Sequence, residues 1–282
     1  MVSDETAIAW VESPLQLLCV VEWAAARRRA VRIVPRSGAL QLAATAQWLE
    51  GKGLPSGVVI DAPRSLPAFG VGHWVIGDPF SGMARSALAL RSPQRLTIVD
   101  DGAATLALPA VLDGTASLHR ATDTLATRAI ADIAATRVRQ LNAEGALEVF
   151  SYYALDLASR TQNRFRWLRS LAISVEPPSR VFLGSAAVTD GLIALDDYAG
   201  IVERASPAHY FPHRRETVAT AARIAEIAGV QTQHPGLPIE LVLAGARGAS
   251  IVSMPSSAVE TLRIILLGSG STVDVVASLV DA

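Results

Sequence analysis

Short apolar runs alternate with helix-like segments through the first hundred residues, and this alternation constrains the fold more than any other feature. AIAWV (7–11) reads as a strand. Ser13 then caps a helix from Pro14 to Arg29, with proline at its first position. VRIVP (31–35) is the next strand, and GALQLAATAQWLEGKG (38–53) is a helix ended by glycine. SGVVIDAP (56–63) holds a third strand. HWVIGD (73–78) is a fourth, followed by a helix over Ser81 to Ala89, and LTIVD (96–100) is a fifth. Strands joined through helices pair in parallel with right-handed crossovers.

Residues 115–170 change character. Helix formers and arginines dominate with no clear strand, as expected of helices that close a first domain and cross to a second. VEPPSR (175–180) is a stiff break. Alternation then resumes. RVFLGSA (180–186) is a strand and turn, TDGLIALDDYAGIVER (189–204) a helix, and HYFPH (209–213) a strand. RETVATAARIAEIAG (215–229) is a strongly periodic helix, HPG (234–236) a turn, and LPIELVLAG (237–245) a short helix. SIVSMP (250–255) and TLRIILLG (261–268) read as strands. The pattern predicts an α/β chain of two Rossmann-like domains, 1–170 and 171–282, facing a cleft. Ligands of open α/β sheets bind at the carboxyl ends of strands, so the residues just after each strand are the candidates.

Composition removes several classes. The formal net charge of the 282 residues is −1, so no basic field for nucleic acid exists. The single cysteine, Cys19, lies in an apolar run; it allows no internal disulfide and reads as a buried, inert thiol. The acidic N-terminus does not read as a secretory signal, and no run of about 18 apolar residues predicts a membrane span. A cytoplasmic protein is expected, compatible with peripheral attachment at the inner face of a membrane. His73, His119, His209, His213 and His234 have no zinc-type spacing, so no metal is expected. There is no GxxxxGK[ST] loop, no strand–GxGxxG–helix and no GxSxG elbow.

Several strand ends carry chemistry-bearing residues. Asp100 and Asp101 follow the fifth strand, with Gly102 allowing a close approach. Successive strand residues point to opposite faces, so one acid can turn inward while the other faces the ligand side. A partly desolvated carboxylate is a better base, although Asp101 is also placed to do no more than cap a helix starting near Ala103. His213 follows a strand and precedes a helix whose N-terminus favours anions, with Arg214 and Arg215 beside it and Glu216 in the expected first turn. Ser256 and Ser257 can cradle a phosphate or serve as helix caps. Glu240 can meet ribose hydroxyls or lie exposed on its helix. Ser13 and Gln16 occupy the first strand-to-helix turn, Asp78 and Ser81 a later one, and Gly184 the turn after RVFL.

The order SPLQ, DDG, PHxxE, PIE, SS resembles the bacterial sialyltransferases and polysialyltransferases. These are CMP-sialic-acid-dependent enzymes of the two-domain glycosyltransferase-B fold. Their acidic-acidic-glycine, His-Pro and late Ser-Ser signatures match Asp100-Asp101-Gly102, His213 and Ser256-Ser257. The resemblance implies that Asp101 is the general base for the acceptor hydroxyl and that Asp100 is structural. It implies that His213 binds the CMP phosphate and serves as general acid, that Ser256 and Ser257 hold the same phosphate, and that Glu240 contacts cytidine. It further implies inversion without a metal, no cofactor beyond the CMP-sugar donor, and a glycan or glycolipid acceptor. The chain departs from the pattern at Arg214, where the family usually has proline; the substitution places another cation near the donor's carboxylate or phosphate. The chain is also short for two full domains. A CMP-Kdo or UDP-sugar transferase of the same fold, and a non-catalytic nucleotide- or glycan-binding relative, are the competing expectations.

Overall fold

The computed structural model describes residues 6–67, 69–173, 179–234 and 236–276. The chain divides into two compact units, 1–167 and 168–282.

In the first unit the strands are β1 (Ala7–Val11), β2 (Val31–Pro35), β3 (Val58–Ile60), β4 (His73–Ile76), β5 (Arg95–Val99), β6 (Leu147–Ser151) and β7 (Arg160–Gln162). They form one sheet in the order β3-β2-β1-β4-β5-β6-β7, with every pair parallel. The helices are α1 (Pro14–Arg27), α2 (Leu40–Lys52), α3 (Gly82–Leu90), α4 (Leu108–Leu112) and α5 (Leu125–Ala143). Strands sandwiched between helices must be apolar on both faces, and Ala9, Val11, Val31, Ile33, Val75, Ile98 and Val149 are buried accordingly. On α5, Ala131, Ala134, Ala135, Val138 and Leu141 recur at helical spacing and join the core cluster that holds Ala84 and Leu88 of α3. Alanines on this face let the two helices lie close together.

The sheet continues where the sequence predicts only helices. β6 and β7 lie within 115–170 and pair in parallel beyond β5. LEVFS is a five-residue run directly behind a 19-residue helix, and RTQ has no apolar alternation at all. Pairing with an existing sheet edge makes β7 a strand; its side chains do not.

In the second unit, α6 (Arg166–Ser170) lies at the division, followed by β8 (Arg180–Leu183), α7 (Leu195–Arg204), β9 (His209–Phe211), α8 (Val218–Ala228) and β10 (Gln231–Thr232). Then come α9 (Ile239–Val242), β11 (Ser250–Ser253), α10 (Ser257–Ile265) and β12 (Thr272–Val275). The sheet order is β10-β9-β8-β11-β12, again all parallel. TLRIILLG is not a strand: most of it lies in α10. Val259, Leu262 and Ile265 are buried at a spacing of three, which is a helical stripe, and the last strand is TVDV instead. Two further helices start later than predicted, α7 at Leu195 and α8 at Val218. Residues 175–178 of the VEPPSR break and Pro235 of the HPG turn lie outside the described residues.

Candidate functional sites at two strand-end edges

Each sheet reverses its winding direction once, between β1 and β4 in the first unit and between β8 and β11 in the second. Loops leaving neighbouring strands in opposite directions open a crevice there, at the carboxyl edge. The predicted residues lie at these edges.

In the first unit, Asp100 and Asp101 separate as the pleat requires. Asp100 is fully buried and accepts hydrogen bonds from Ser151 Oγ and the Tyr152 backbone N–H, both at 2.7 Å. Burial pushes its carboxyl up to about 7, against the pull of these donors. It ties the end of β5 to the loop after β6. Asp101 is half-buried and faces the other way, where Ser13 Oγ donates to its Oδ1 at 2.8 Å. The same Ser13 oxygen accepts the Gln16 N–H at 3.2 Å, so one hydroxyl both caps α1 and holds Asp101. Asp101 caps no helix: the turn of 3₁₀ helix that follows, Ala104–Ala107, has no side-chain cap. Gly102 adopts φ +67°, which releases the chain sharply after the two acids.

Gln16 and Ser81 are structural. Gln16 is buried, its Oε1 accepts the Glu12 N–H at 2.8 Å, and its side chain crosses Gly77. A Cβ on Gly77 would fall 2.1 Å from Gln16 Cγ, so any side chain there would force Gln16 out of its place. Ser81 caps α3 through the Ala84 N–H at 3.1 Å. Asp78 is buried, accepts the Phe80 N–H at 2.8 Å, and is paired with Arg120. Burial raises its carboxyl, Arg120 opposes this, and the nearby Asp101 and Glu12 charges add to the rise.

Arg120 is the residue the sequence reading missed. Its Nε donates to the Phe80 carbonyl at 2.8 Å, and its backbone N–H donates to Asp123 at 2.6 Å. Asp123 is in turn gripped by both guanidinium nitrogens of the buried Arg85. The only sequence signal was an arginine-rich segment without periodicity, which does not single out one arginine.

In the second unit, Gly184 ends β8 against the end of β9. A Cβ there would lie 2.6 Å from the His213 nitrogen, 2.8 Å from the Tyr210 hydroxyl and 2.9 Å from the Phe211 carbonyl oxygen. The His213 N–H donates to Glu216 Oε2 at 3.1 Å, and the Tyr210 hydroxyl donates to Glu216 Oε1 at 2.8 Å. Glu216 therefore does not sit in the first turn of a helix, as predicted. It precedes Thr217, the residue that caps α8, and folds back on the loop. A carboxylate already bonded to two donors has no need of the helix dipole. Burial raises the Glu216 carboxyl against these two bonds and a third from the Ser185 backbone. Burial, and then the Arg214 and Arg215 charges, lower His213 below its usual value.

The two arginines differ. Arg215 is bidentate on Asp190, at 2.8 and 2.7 Å. Arg214 is exposed, and its charge lowers the carboxyl of Glu240 against the dominant effect of burial. Glu240 is buried and accepts from Thr261 Oγ1 of α10 at 3.0 Å, so it is not an exposed helix residue. Ser256 holds the N-cap position of α10, yet its exposed side chain makes no capping bond; Ser257 is the first helical residue. The cap reading of this pair thus fails at the hydroxyl, which is left for other partners.

Cavities of about 280 and 340 Å³ lie elsewhere in the first unit, lined by residues that include Glu22, Phe150 and Arg164, and Arg36, Ala43 and Asp61. None of the described helices is long and apolar enough to cross a membrane. No protein-family model matches the sequence, and no curated protein matches it. Among solved structures the chain is similar to a UDP-glucosyltransferase from Polygonum tinctorium capable of glucosylating indoxyl, in complex with 3,4-dichloroaniline. Sequence identity is 11%, the match covers 97% of this chain and 80% of that one, and the TM-score is 0.49.

Proposed function

We propose that the chain is an inverting glycosyltransferase that moves a nonulosonic acid of the sialic acid class from its CMP conjugate to a glycan hydroxyl. The observation that carries this reading is the division of labour in the Asp100–Asp101 pair. Asp100 is buried in the fold, while Asp101 is held outward at the strand edge by the Ser13 hydroxyl at 2.8 Å. This is how a base is positioned without being neutralised by a cation. The ordered motifs of the sequence support the CMP-sugar donor.

In this reading Asp101 accepts the proton of the acceptor hydroxyl as its oxygen attacks the anomeric carbon. The bond from that carbon to the phosphate oxygen breaks, its electron pair leaving with CMP. Hydrogen-bond donors of the second unit hold the phosphate: His213, Ser256, Ser257 and the first N–H groups of α10. Arg214 is available for the sugar carboxylate. Glu240 is buried, accepts from Thr261 Oγ1 at 3.0 Å and feels the Arg214 charge, so in this reading it acts through those two residues.

Thermal unfolding with CMP, with UMP or with neither is the direct test. A nucleotide at 100 times its Kd adds about 2.7 kcal/mol. CMP is expected to raise the midpoint and UMP to leave it unchanged. Asp101→Ala is expected to keep the CMP shift and lose CMP release from a CMP-sugar in the presence of acceptor. A shift with UMP alone would move the reading to a UDP-sugar enzyme, and no shift with either would overturn it.

A further inference from the structure

The turn that carries His213 does more than place it. Nδ1 of the ring accepts the Arg215 backbone N–H at 3.2 Å. A backbone N–H can only donate, so Nδ1 must hold a lone pair and the ring proton must sit on Nε2. A second proton on Nδ1 would set two N–H groups face to face. The bond at the other end of the residue is equally directed: the His213 N–H is held by Glu216 Oε2, and Glu216 Oε1 is held by the Tyr210 hydroxyl. Both carboxylate oxygens are committed, so the loop from Phe211 to Glu216 is closed on itself at His213 and tied to β9 at Tyr210. The charged groups around the ring agree. Arg214 and Arg215 oppose a further positive charge, and Asp190, which would favour one, is bidentate on Arg215.

We propose that His213 meets the donor's phosphate as a neutral imidazole with its proton on Nε2. The Arg215 amide and the Glu216 carboxylate fix this state, and Glu216 is a positioning residue for the transfer. The inference rests on the donor-site reading above and departs from it in one respect: His213 gives a hydrogen bond and not a proton. The balance of the step allows this. The bond between the anomeric carbon and the phosphate oxygen breaks with its electron pair on that oxygen, and CMP leaves unprotonated. The only proton transferred is that of the acceptor hydroxyl, which goes to Asp101. Activity is therefore not lost as pH rises past the ordinary histidine range near 6.5. An imidazolium acid would lose it there.

The test is long-range ¹H–¹⁵N correlation of the imidazoles in the ¹⁵N-labelled whole chain, which has five histidines. His213→Asn assigns the His213 signals by their disappearance. At pH 7 the expected pattern is a bare Nδ1 and a protonated Nε2. Glu216→Ala is expected to release the ring into exchange between both tautomers and to lower kcat about 100-fold, with KM changed less. Glu216→Gln should largely rescue both, because the Tyr210 hydroxyl can turn round and accept from the new amide. If Glu216→Ala does not fold, Tyr210→Phe, which removes one of the bonds to Glu216, takes its place with a smaller shift in the same direction. A proton on Nδ1 at pH 7 in the unmodified chain, or a ring state unchanged by loss of the Glu216 contacts, overturns the proposal. CMP added to the same sample should move the Nε2 signal. If the ring has the expected state but CMP leaves it unmoved, the donor-site reading fails and the phosphate contact with it, while the ring state stands.

Discussion

Adding one methyl group at Gly184 tests whether the end of β8 and the His213 loop are packed as tightly as the distances say. The new Cβ would lie 2.6 Å from the His213 nitrogen and 2.9 Å from the Phe211 carbonyl oxygen, both backbone atoms, and 2.8 Å from the Tyr210 hydroxyl. The Gly184 N–H is itself bonded to the Phe211 carbonyl at 2.7 Å, so the two segments cannot part without losing that bond. Overpacking of this kind costs about 1–3 kcal/mol. The unit affected spans residues 168–282. For a domain of that size each kcal/mol lowers the midpoint by roughly 4 °C, so Gly184→Ala is expected to melt about 4–12 °C below the unmodified chain. Gly200→Ala is the control in the same unit. It lies within α7, and its only close contact is the flexible end of Arg204 at 3.3 Å. Relief of glycine's entropy there should add about 0.5–1 kcal/mol. Calorimetry reads both midpoints, and repeating it with CMP reads the site, whose stabilisation by CMP should shrink in Gly184→Ala. Gly184→Ala melting with the unmodified chain would refute the packing argument, as would a Gly200→Ala that is equally damaged.

Three further outcomes follow from named contacts. Ser13→Ala should cost about 1 kcal/mol by chemical denaturation, through loss of the α1 cap, and should also lower turnover by freeing Asp101; Ser13→Thr should retain both. In a double-mutant cycle, Arg120→Ala and Asp78→Asn should couple by about 1–2 kcal/mol, since Asp78 is buried while Arg120 is half exposed; zero coupling would make Arg120 a bystander. Two groups shape the pH dependence of stability in opposite senses. His73 is lowered by burial from 6.5 to about 4, so the unfolded chain takes the proton first and stability is lost as pH falls from 6.5 toward 4. The loss is about 2 kcal/mol, after discounting the full shift because the ring is only partly enclosed. Asp100 is raised from 3.8 to about 7, so its contribution is full below 3.8 and is lost as pH rises to 7. Difference curves of His73→Asn and Asp100→Asn against the unmodified chain should show one loss each, on opposite limbs; curves of the same sign would contradict the assignments.

The path from sequence to site is uneven, and the reasons are local. LTIVDDG could be read correctly because a strand has a period of two, so adjacent acids must diverge. Ser13 could be read as a cap because capping is a short-range rule, satisfied there within three residues; Ser81, read as the first residue of its helix, is the cap one position earlier. That Ser13 also holds Asp101 is a contact across 88 residues of chain, and no local rule contains it. TLRIILLG was misread because a short apolar run fits a buried strand and a buried helix face equally well; the sheet, already complete on that side with β11 and β12, decided for the helix. Glu216 was misplaced because the helix was started at Arg215, three residues before Val218, where Thr217 caps α8.

By itself, the sequence determined the strand–helix alternation, hence the parallel sheets, and the strand ends at which candidate residues fall. Periodicity and capping are properties of neighbouring residues, and neighbours are what a sequence lists. Only the tertiary structure decided which of those residues are held and by what: Asp100 by Ser151 and Tyr152, Asp101 by Ser13, Asp78 by Arg120, and Glu216 by Tyr210 and His213. Except for the Glu216 pair, these contacts join strand ends and loops dozens of residues apart. Their geometry is set by the order of strands in the sheet, which no single segment encodes.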